Sequence, residues 1–131
     1  MGFEISKDTL LKVSGVAAAA ASGFSLVAPR DFHKATMSTG TAISVEALRY
    51  HGIVGLMLGG THLVLSAKAG HTELKKDALK VAGAGWLACA AHNAYNGYQS
   101  GTQPRDVATA NAIGQAVLGG LCLYKGFERV I

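Results

Sequence analysis

Four long apolar stretches constrain the fold of this chain more than any other feature. They cover residues 10–28, 45–69, 74–97 and 106–126. Each is close to the roughly 20 residues of helix that cross the hydrocarbon layer of a bilayer. None shows the strict alternation of apolar and polar residues that marks a strand, and each is too long to be one. The sequence therefore predicts a single all-α domain, residues 1–131, built as a bundle of four antiparallel transmembrane helices.

Helix-breaking and capping residues separate these stretches. Pro29 ends the first, Ser44 can cap the second, Thr72 can cap the third, and Pro104 opens the fourth. The second and third connections are short, about five and about seven residues, which makes the helices they join antiparallel neighbours. The first connection is longer and contains apolar residues, so part of it is expected to lie along the membrane surface.

Composition favours a membrane protein and argues against a nucleic-acid partner. Half of the residues are hydrophobic and 15% are charged, against about 25% charged in an ordinary soluble domain. Much of the apolar content is Ala and Gly, so a soluble helical bundle stays open as the alternative. The net charge is +4, but the basic residues form no dense run. Cys89 and Cys122 lie in separate helices, which is neither a disulfide framework nor a metal-binding spacing.

The basic residues also predict an orientation. With four crossings, both termini lie on the same side of the membrane. That side holds Lys7, Lys12, Lys68, Lys75, Lys76, Lys80, Lys125 and Arg129, and the opposite side holds Arg30, Lys34, Arg49 and Arg105. The excess on the terminal side favours the cytoplasmic, matrix or stromal face for both termini.

Small residues four positions apart recur on the predicted helices. Such stripes allow two helix backbones to approach closely, within the chain or against a partner, where lipid supplies no hydrophobic drive. The candidate packing residues are Gly15, Ala19 and Gly23 on the first helix, Gly55 and Gly59 on the second, and Ala108, Ala112, Ala116 and Gly120 on the fourth. Chance spacing in a chain rich in Ala and Gly is the competing explanation.

Two histidines at membrane depth invite comparison with a bis-histidine haem site, because polar groups there are costly. His62 and His92 each lie about five residues past the centres of antiparallel helices. They are therefore separated by roughly 15 Å along the membrane normal, too far to bind one haem. His62 alone stays a speculative axial ligand for haem or chlorophyll. No cofactor and no metal are predicted.

The same depth count groups other polar residues in the outer half of the bundle. His92 and Asn93 on the third helix fall level with Asn111 on the fourth, and Arg49 and His51 begin the second helix at that face. The favoured interpretation of this cluster is a patch of hydrogen bonds between helices. The alternative is a site for a lipid headgroup, a quinone or a small ligand.

Signals of catalysis and targeting are missing from the sequence. No nucleophile elbow, metalloprotease motif, CxxC or phosphate loop is present, and no carboxylates pair within the apolar stretches. The prediction is that the chain is not an enzyme. The first residues have neither a basic start nor an Arg-rich composition. Met1-Gly2 with Ser6 matches the N-myristoylation pattern, although bulky Phe3 favours an ordinary start.

The start of the second helix carries a resemblance to a known family. The relevant residues are Ala28-Pro29, then Glu46-Ala47-Leu48-Arg49-Tyr50-His51-Gly52, then Gly55 and Gly59. This pattern resembles the DoxX-like group of small four-helix membrane proteins. The resemblance implies the four-helix architecture. It implies little about activity, and the three histidines at positions 51, 62 and 92 are not part of the family pattern.

Three hypotheses for function follow. The leading one is a structural or accessory subunit of a larger membrane complex, respiratory or photosynthetic, with other membrane-protein subunits and lipids as partners. It would place the chain in an organelle inner membrane, the mitochondrial inner membrane or the thylakoid. The alternative is a ligand-binding or redox membrane protein that holds a pigment, haem, quinone or lipid. An enzyme or transporter is the least favoured, because no buried acid or base is visible.

Overall fold

The computed structural model describes residues 4–129, and this part of the chain is all-α, which confirms the predicted fold class. There are five helices: α1 (Lys7–Val27), α2 (Pro29–Thr36), α3 (Val45–Ser66), α4 (Thr72–Tyr95) and α5 (Arg105–Gly126). A π-helical turn, Asn96–Ser100, extends the end of α4. The candidate myristoylation site at Gly2 lies outside the described residues.

The first connection contains a short helix, α2, that the sequence did not predict, and its expected position along the membrane surface stays a prediction. Pro29 ends α1, as predicted, since proline has no N–H to donate into the preceding turn. The same residue then takes the first position of α2, where that N–H is not needed. The Phe24 and Phe32 rings meet edge to face with centroids 5.5 Å apart, which holds α2 against the end of α1.

The predicted caps are confirmed at one helix and wrong at another. The Ser44 Oγ accepts a hydrogen bond from the Ala47 N–H at 3.3 Å, as expected for the cap of α3. Thr72, in contrast, is already the first residue of α4, and its cap is His71. Gly70 and His71 both have positive φ values, 74° and 56°, so the chain reverses before Thr72 rather than at it. α3 accordingly ends at Ser66, short of the predicted residue 69.

The long helices form two antiparallel pairs. In the first pair, α1 packs on α3 with Gly15 against Gly59. A Cβ added at Gly59 would lie 2.7 Å from the Gly15 carbonyl oxygen and 2.9 Å from the Ala19 nitrogen. Real Cβ atoms do not approach backbone so closely, so both positions require glycine. The absence of side chains here is what allows the two backbones to touch.

The second pair has the same kind of glycine–glycine contact, made by different residues. α4 packs on α5 with Gly83 against Gly119. A Cβ at Gly83 would lie 2.8 Å from the Gly119 carbonyl oxygen, and a Cβ at Gly119 would lie 2.9 Å from the Gly83 carbonyl oxygen. Gly97 and Ala108 make a further close contact near the turn that joins the two helices.

The two pairs are joined at both ends. Near the beginning of α1 and the end of α5, called here the terminal end, Leu10 and Leu11 form a buried core with Leu79 and Cys122. At the opposite end, called the loop end, the Ser38 N–H donates to the Thr102 carbonyl at 2.9 Å. Helices α1 and α4 therefore run parallel, and both of them begin at the terminal end.

Large apolar side chains lie mostly on the outside of the bundle. Val27 is 83% exposed, Val81 70% and Met57 68%, and exposed Val, Leu, Ile or Met side chains occur along all four long helices. The buried positions at the helix contacts are mostly Gly, Ala and Ser, and only three leucines are fully enclosed. This distribution is the inverse of that in a soluble protein, where large apolar residues fill the core.

Two of the helices in residues 4–129, α1 and α5, are long and apolar enough to cross a membrane. This description rests on length and composition only, and α3 and α4 do not meet it, so four membrane spans stay a prediction. The core helix of a soluble protein or a signal sequence near an N-terminus would satisfy it as well.

Candidate functional site

A chain of hydrogen bonds links three helices through buried polar side chains. The Ser14 Oγ on α1 lies 3.0 Å from the His62 Nδ1 on α3. The Trp86 Nε1–H on α4 donates to the same Ser14 oxygen at 2.9 Å. Ser14 is fully buried and His62 is 5% exposed. These three residues are called here the Ser14 triad. The Ser14–His62 contact lies within the first pair, and the Trp86–Ser14 bond joins the two helix pairs.

The glycine contacts position the triad. Ser14 directly precedes Gly15, and His62 follows Gly59 by three residues, which places it one turn away on the same face of α3. On α4, Trp86 likewise follows Gly83 by one turn. Because each glycine fixes its helix against its partner, the neighbouring polar side chains can meet only at the junction of the two pairs.

Hydrogen-bond chemistry leaves two states for the triad. Ser14 accepts from Trp86, so either its own hydroxyl donates to the His62 Nδ1 or the protonated Nδ1 donates to Ser14. The first state puts the histidine proton on Nε2. The second leaves the Nε2 lone pair free, as in a metal-bound histidine whose other nitrogen is held by the protein. Within residues 4–129 no hydrogen-bond partner of Nε2 is found.

The proposed axial-ligand role of His62 stays a prediction. A haem or chlorophyll ring needs an open approach to the imidazole, and 95% of this residue is covered by the protein. In the described part of the chain, no three His, Cys, Asp or Glu side chains group as metal ligands. The closed geometry favours the role of a structural hydrogen bond.

The structure does not bring the predicted outer polar cluster together. Only Asn93 makes a contact between helices: its Nδ2–H donates to the Gln115 Oε1 on α5 at 2.6 Å. His92 is exposed, because successive residues of a helix point about 100° apart and Asn93 occupies the position that faces α5. Asn111 is half-buried, and no side-chain hydrogen bond of it occurs within residues 4–129.

The two residues expected from the start of α3 also point away from such a cluster. The Arg49 guanidinium lies 3.8 Å from the exposed carboxylate of Glu46, one turn earlier on the same helix. His51 is exposed. The cluster is therefore reduced to one bond between Asn93 and Gln115.

The predicted packing stripe of the first pair lies at the α1–α3 contact, apart from one residue. Gly15 and Gly59 touch, and Ala19 lies beside Gly59. Gly55 contacts the Ser22 side chain so closely that a Cβ would overlap it. Gly23 has no atom within 4 Å of its Cβ position.

The predicted stripe of small residues on α5 starts at the α4–α5 interface and then turns away from it along the helix. Ala108 is buried and Ala112 half-buried, whereas Ala116 and Gly120 are exposed. A spacing of four residues drifts by roughly 40° per step around a helix, so Gly120 has rotated away from the face that contains Ala108. The contact is made instead by Gly119, whose phase matches that of Ala108.

Three residues with structural roles escaped the sequence reasoning. Ser14 was not considered, because a serine hydroxyl inside a helix is often satisfied by its own backbone. No position in the bundle is predicted for Trp86 above. Lys75 is predicted only as one of the basic residues of the terminal side, yet it is 4% exposed and its Nζ lies 2.7 Å from the Asp8 carboxylate. The position of Ser14 beside Gly15 was the one available signal.

No family model, curated protein or solved structure matches this chain. The resemblance to the DoxX-like group therefore stays a prediction, and the function must be argued from the contacts alone.

Proposed function

We propose that this chain is an integral membrane protein whose four long helices cross the bilayer, and that it serves as a structural or accessory subunit of a larger membrane complex. A respiratory or photosynthetic complex of an organelle inner membrane is the assembly we favour. The observation that carries the proposal is the inverted distribution of side chains, with large apolar groups outside and small or polar groups at the helix contacts.

The physical argument rests on the solvent. Water would drive Val, Leu and Met side chains inward, whereas lipid tails are as apolar as these side chains and exert no such drive. Helices in lipid associate instead through close backbone contact and hydrogen bonds between helices. The Gly15–Gly59 contact, the Gly83–Gly119 contact and the Ser14 triad are contacts of this kind.

The charges support the orientation. The eight basic residues assigned above to the terminal side lie toward the terminal end, where α1 and α4 begin and α3 and α5 end. An inner-face location of both termini follows from the bias of Lys and Arg toward that side of a membrane.

Outward glycines support the role of a subunit. Gly60 on α3, Gly85 on α4, and Gly114 and Gly120 on α5 have no atom within 4 Å of their Cβ positions. A helix of another protein could approach these positions as closely as α1 approaches α3. Within the subunit hypothesis, they are the places where a partner helix would pack.

Native purification tests both parts of the proposal. Membranes from cells that express the chain are washed with alkaline carbonate, extracted with a mild detergent and separated by size under native conditions. We expect the protein to stay with the carbonate-washed membranes and to migrate with other subunits. Release by carbonate would overturn the membrane assignment, and migration as a free 13.5 kDa monomer would overturn the subunit assignment.

A ligand-binding or redox protein is the second candidate, and one observation favours it: the His62 Nδ1 is held by Ser14 while no partner of Nε2 is found in the described residues. Haem, chlorophyll, a quinone or a lipid are the ligands considered. An absorbance spectrum of the natively purified protein, separated from other subunits, tests whether haem or chlorophyll is bound. A visible band that disappears in His62→Ala would favour a pigment ligand of His62 over a structural role of this residue.

A further inference from the structure

A pocket of about 300 Å³ opens at the terminal end, between the beginnings of α1 and α4 and the end of α5. Polar and charged side chains line it. The lining relevant here consists of Ser6, Lys7, Asp8, Thr72, Lys75 and Lys125. Three lysines and one aspartate thus line a single cavity, and once the Glu128 carboxylate paired with Lys125 is counted, an excess of one positive charge is left.

The three lysines differ in how far they are already paired. The Lys75 Nζ lies 2.7 Å from the Asp8 carboxylate and donates to the Lys68 carbonyl at 2.5 Å. The Lys125 Nζ lies 3.1 Å from the Glu128 carboxylate. Lys7 has no ion pair with any residue in the range 4–129. An incoming anion would therefore meet one unpaired ammonium first, with two others close enough to share.

The backbone adds to the positive potential. Both α1 and α4 begin at this pocket, and the positive end of a helix dipole lies at its N-terminus. α4 has no side-chain cap, so the N–H groups of its first turn lack the oxygen that a capping residue would supply. Glu73 of that turn is directed to Lys76, 3.7 Å away, rather than to the pocket lining.

We propose that this pocket binds a phosphate group, carried either by an anionic lipid headgroup or by free phosphate. Phosphate oxygens accept hydrogen bonds from ammonium groups and are favoured at helix N-termini. Three lysines line this pocket, and α4, which has no side-chain cap, begins at it. Recognition of the phosphate does not depend on the membrane assignment. The lipid source does rest on the proposed function, which sets the terminal end at the level of the headgroups.

A binding experiment with two lipids tests the site. The purified protein in a neutral detergent is titrated with dioleoyl phosphatidic acid, and bound lipid is counted by native mass spectrometry. Dioleoylglycerol, which has the same tails and no phosphate, is the control ligand. We expect phosphatidic acid to bind and dioleoylglycerol not to bind at the same concentration.

Matched lysine variants place the binding in the pocket. We expect Lys7→Gln and Lys125→Gln each to weaken binding by about fivefold, the effect of one charge-assisted hydrogen bond at a partly exposed site. Lys12→Gln removes the same charge five residues along α1, outside the pocket lining, and should leave binding unchanged. Equal weakening by Lys7→Gln and Lys12→Gln, or equal binding of the two lipids, would overturn the proposal.

Competition by inorganic phosphate separates the two sources. Displacement of the lipid at millimolar phosphate assigns the pocket to the phosphate group alone, and a lack of displacement assigns it to the lipid headgroup. The carbonate extraction described above is independent of this readout. A chain that stays in the membrane but does not discriminate between the lipids sinks this proposal only, whereas a chain released by carbonate that binds phosphate sinks only the membrane assignment.

Discussion

The two helix pairs use the same contact and fasten it differently. In both, glycine meets glycine and the backbones touch: Gly15 with Gly59 in the first pair, and Gly83 with Gly119 in the second. The first pair then adds buried serines that bond to the opposite helix. One is Ser25, whose hydroxyl donates to the Leu48 carbonyl at 2.6 Å. A close glycine contact between two helix backbones therefore does not determine which side-chain hydrogen bonds form beside it.

In the second pair, α4 and α5 contain no serine, and leucine side chains pack on the glycines, as Leu63 packs on Gly15 in the first pair. Leu123 lies over Gly83 and Leu87 lies over Gly119. In the described residues the polar contribution consists of two side-chain bonds near the loop end, one from Asn93 to Gln115 and one between the Tyr98 and Thr109 hydroxyls. The second pair is consequently stabilised mainly by close packing, and the first by close packing together with buried hydrogen bonds. The predictions below test this difference, from the largest expected effect to the smallest.

The glycine contacts should give the largest effects. Gly59→Ala should lower the free energy of unfolding by about 3 kcal/mol, because the new Cβ meets two backbone atoms of α1 that cannot move separately. Gly119→Ala should cost somewhat less, about 2 kcal/mol, since its Cβ would lie 2.9 Å from the Gly83 carbonyl oxygen and 3.1 Å from the Leu87 nitrogen, slightly farther than the backbone atoms at Gly59. Unfolding by SDS in mixed micelles measures both values.

The adjacent residues provide matched controls for these two variants. Gly60 and Gly120 have no atom within 4 Å of their Cβ positions. Gly60→Ala and Gly120→Ala should therefore leave the free energy of unfolding unchanged or raise it by about 0.5 kcal/mol through helix propensity. Equal losses at positions 59 and 60 would show that the α1–α3 contact is not as close as described.

The next largest effect should come from the ion pair of Asp8 and Lys75, which joins the two helix pairs. Asp8→Asn should lower the free energy of unfolding by about 2 kcal/mol, because it leaves the buried Lys75 ammonium without its counter-ion while the 51% exposed side chain of Asp8 limits the loss. The same variant should tighten phosphate binding in the pocket, since one negative charge leaves the lining. Glu73→Gln, at an exposed pair, should change the free energy of unfolding by less than about 0.5 kcal/mol.

The Ser14 triad should matter more than a single bond within the first pair. Ser14→Ala should lower the free energy of unfolding by about 1.5 kcal/mol, because the Trp86 N–H and the His62 Nδ1 both lose their partner. Ser25→Ala removes one bond and should cost about 0.6 kcal/mol, the average for hydrogen bonds between membrane helices. Trp86 is the only tryptophan, so its fluorescence emission should shift in Ser14→Ala and not in Ser25→Ala.

The bond of the second pair should have the smallest effect. Asn93→Ala should lower the free energy of unfolding by about 0.6 kcal/mol through loss of the bond to Gln115. Asn111→Ala on α5 removes an amide for which the described residues provide no side-chain hydrogen bond, and should be neutral within error. A larger loss in Asn111→Ala than in Asn93→Ala would restore the cluster that the sequence predicted.

Local chemistry could be predicted from the sequence, and the rotational phase of the helices could not. Pro29 and Ser44 marked the end of α1 and the cap of α3 because their effects need only neighbouring residues. The polar cluster required the direction of His92 and Asn111, which depends on how α4 and α5 pack. A stripe counted in steps of four likewise selected Gly120 in place of Gly119.

The Ser14 triad could not be predicted from the sequence for a related reason. Ser14, His62 and Trp86 lie on three helices, and only the two glycine contacts bring them to one place. Similarly, nothing in the local sequence distinguishes the buried Lys75 from the adjacent Lys76. The partner of Lys75, Asp8, is distant along the chain.

The order of the helices along the chain has a consequence for folding during synthesis on the ribosome. α4 and α5 are consecutive, so their glycine faces can close on each other as soon as α5 emerges. α1 is made first, but its partner α3 follows only after α2 and the segment to Ser44. Until then, Gly15 and the serine-lined face of α1 stay uncovered. A newly made chain is thus most open to mispairing in the interval before α3 packs on α1.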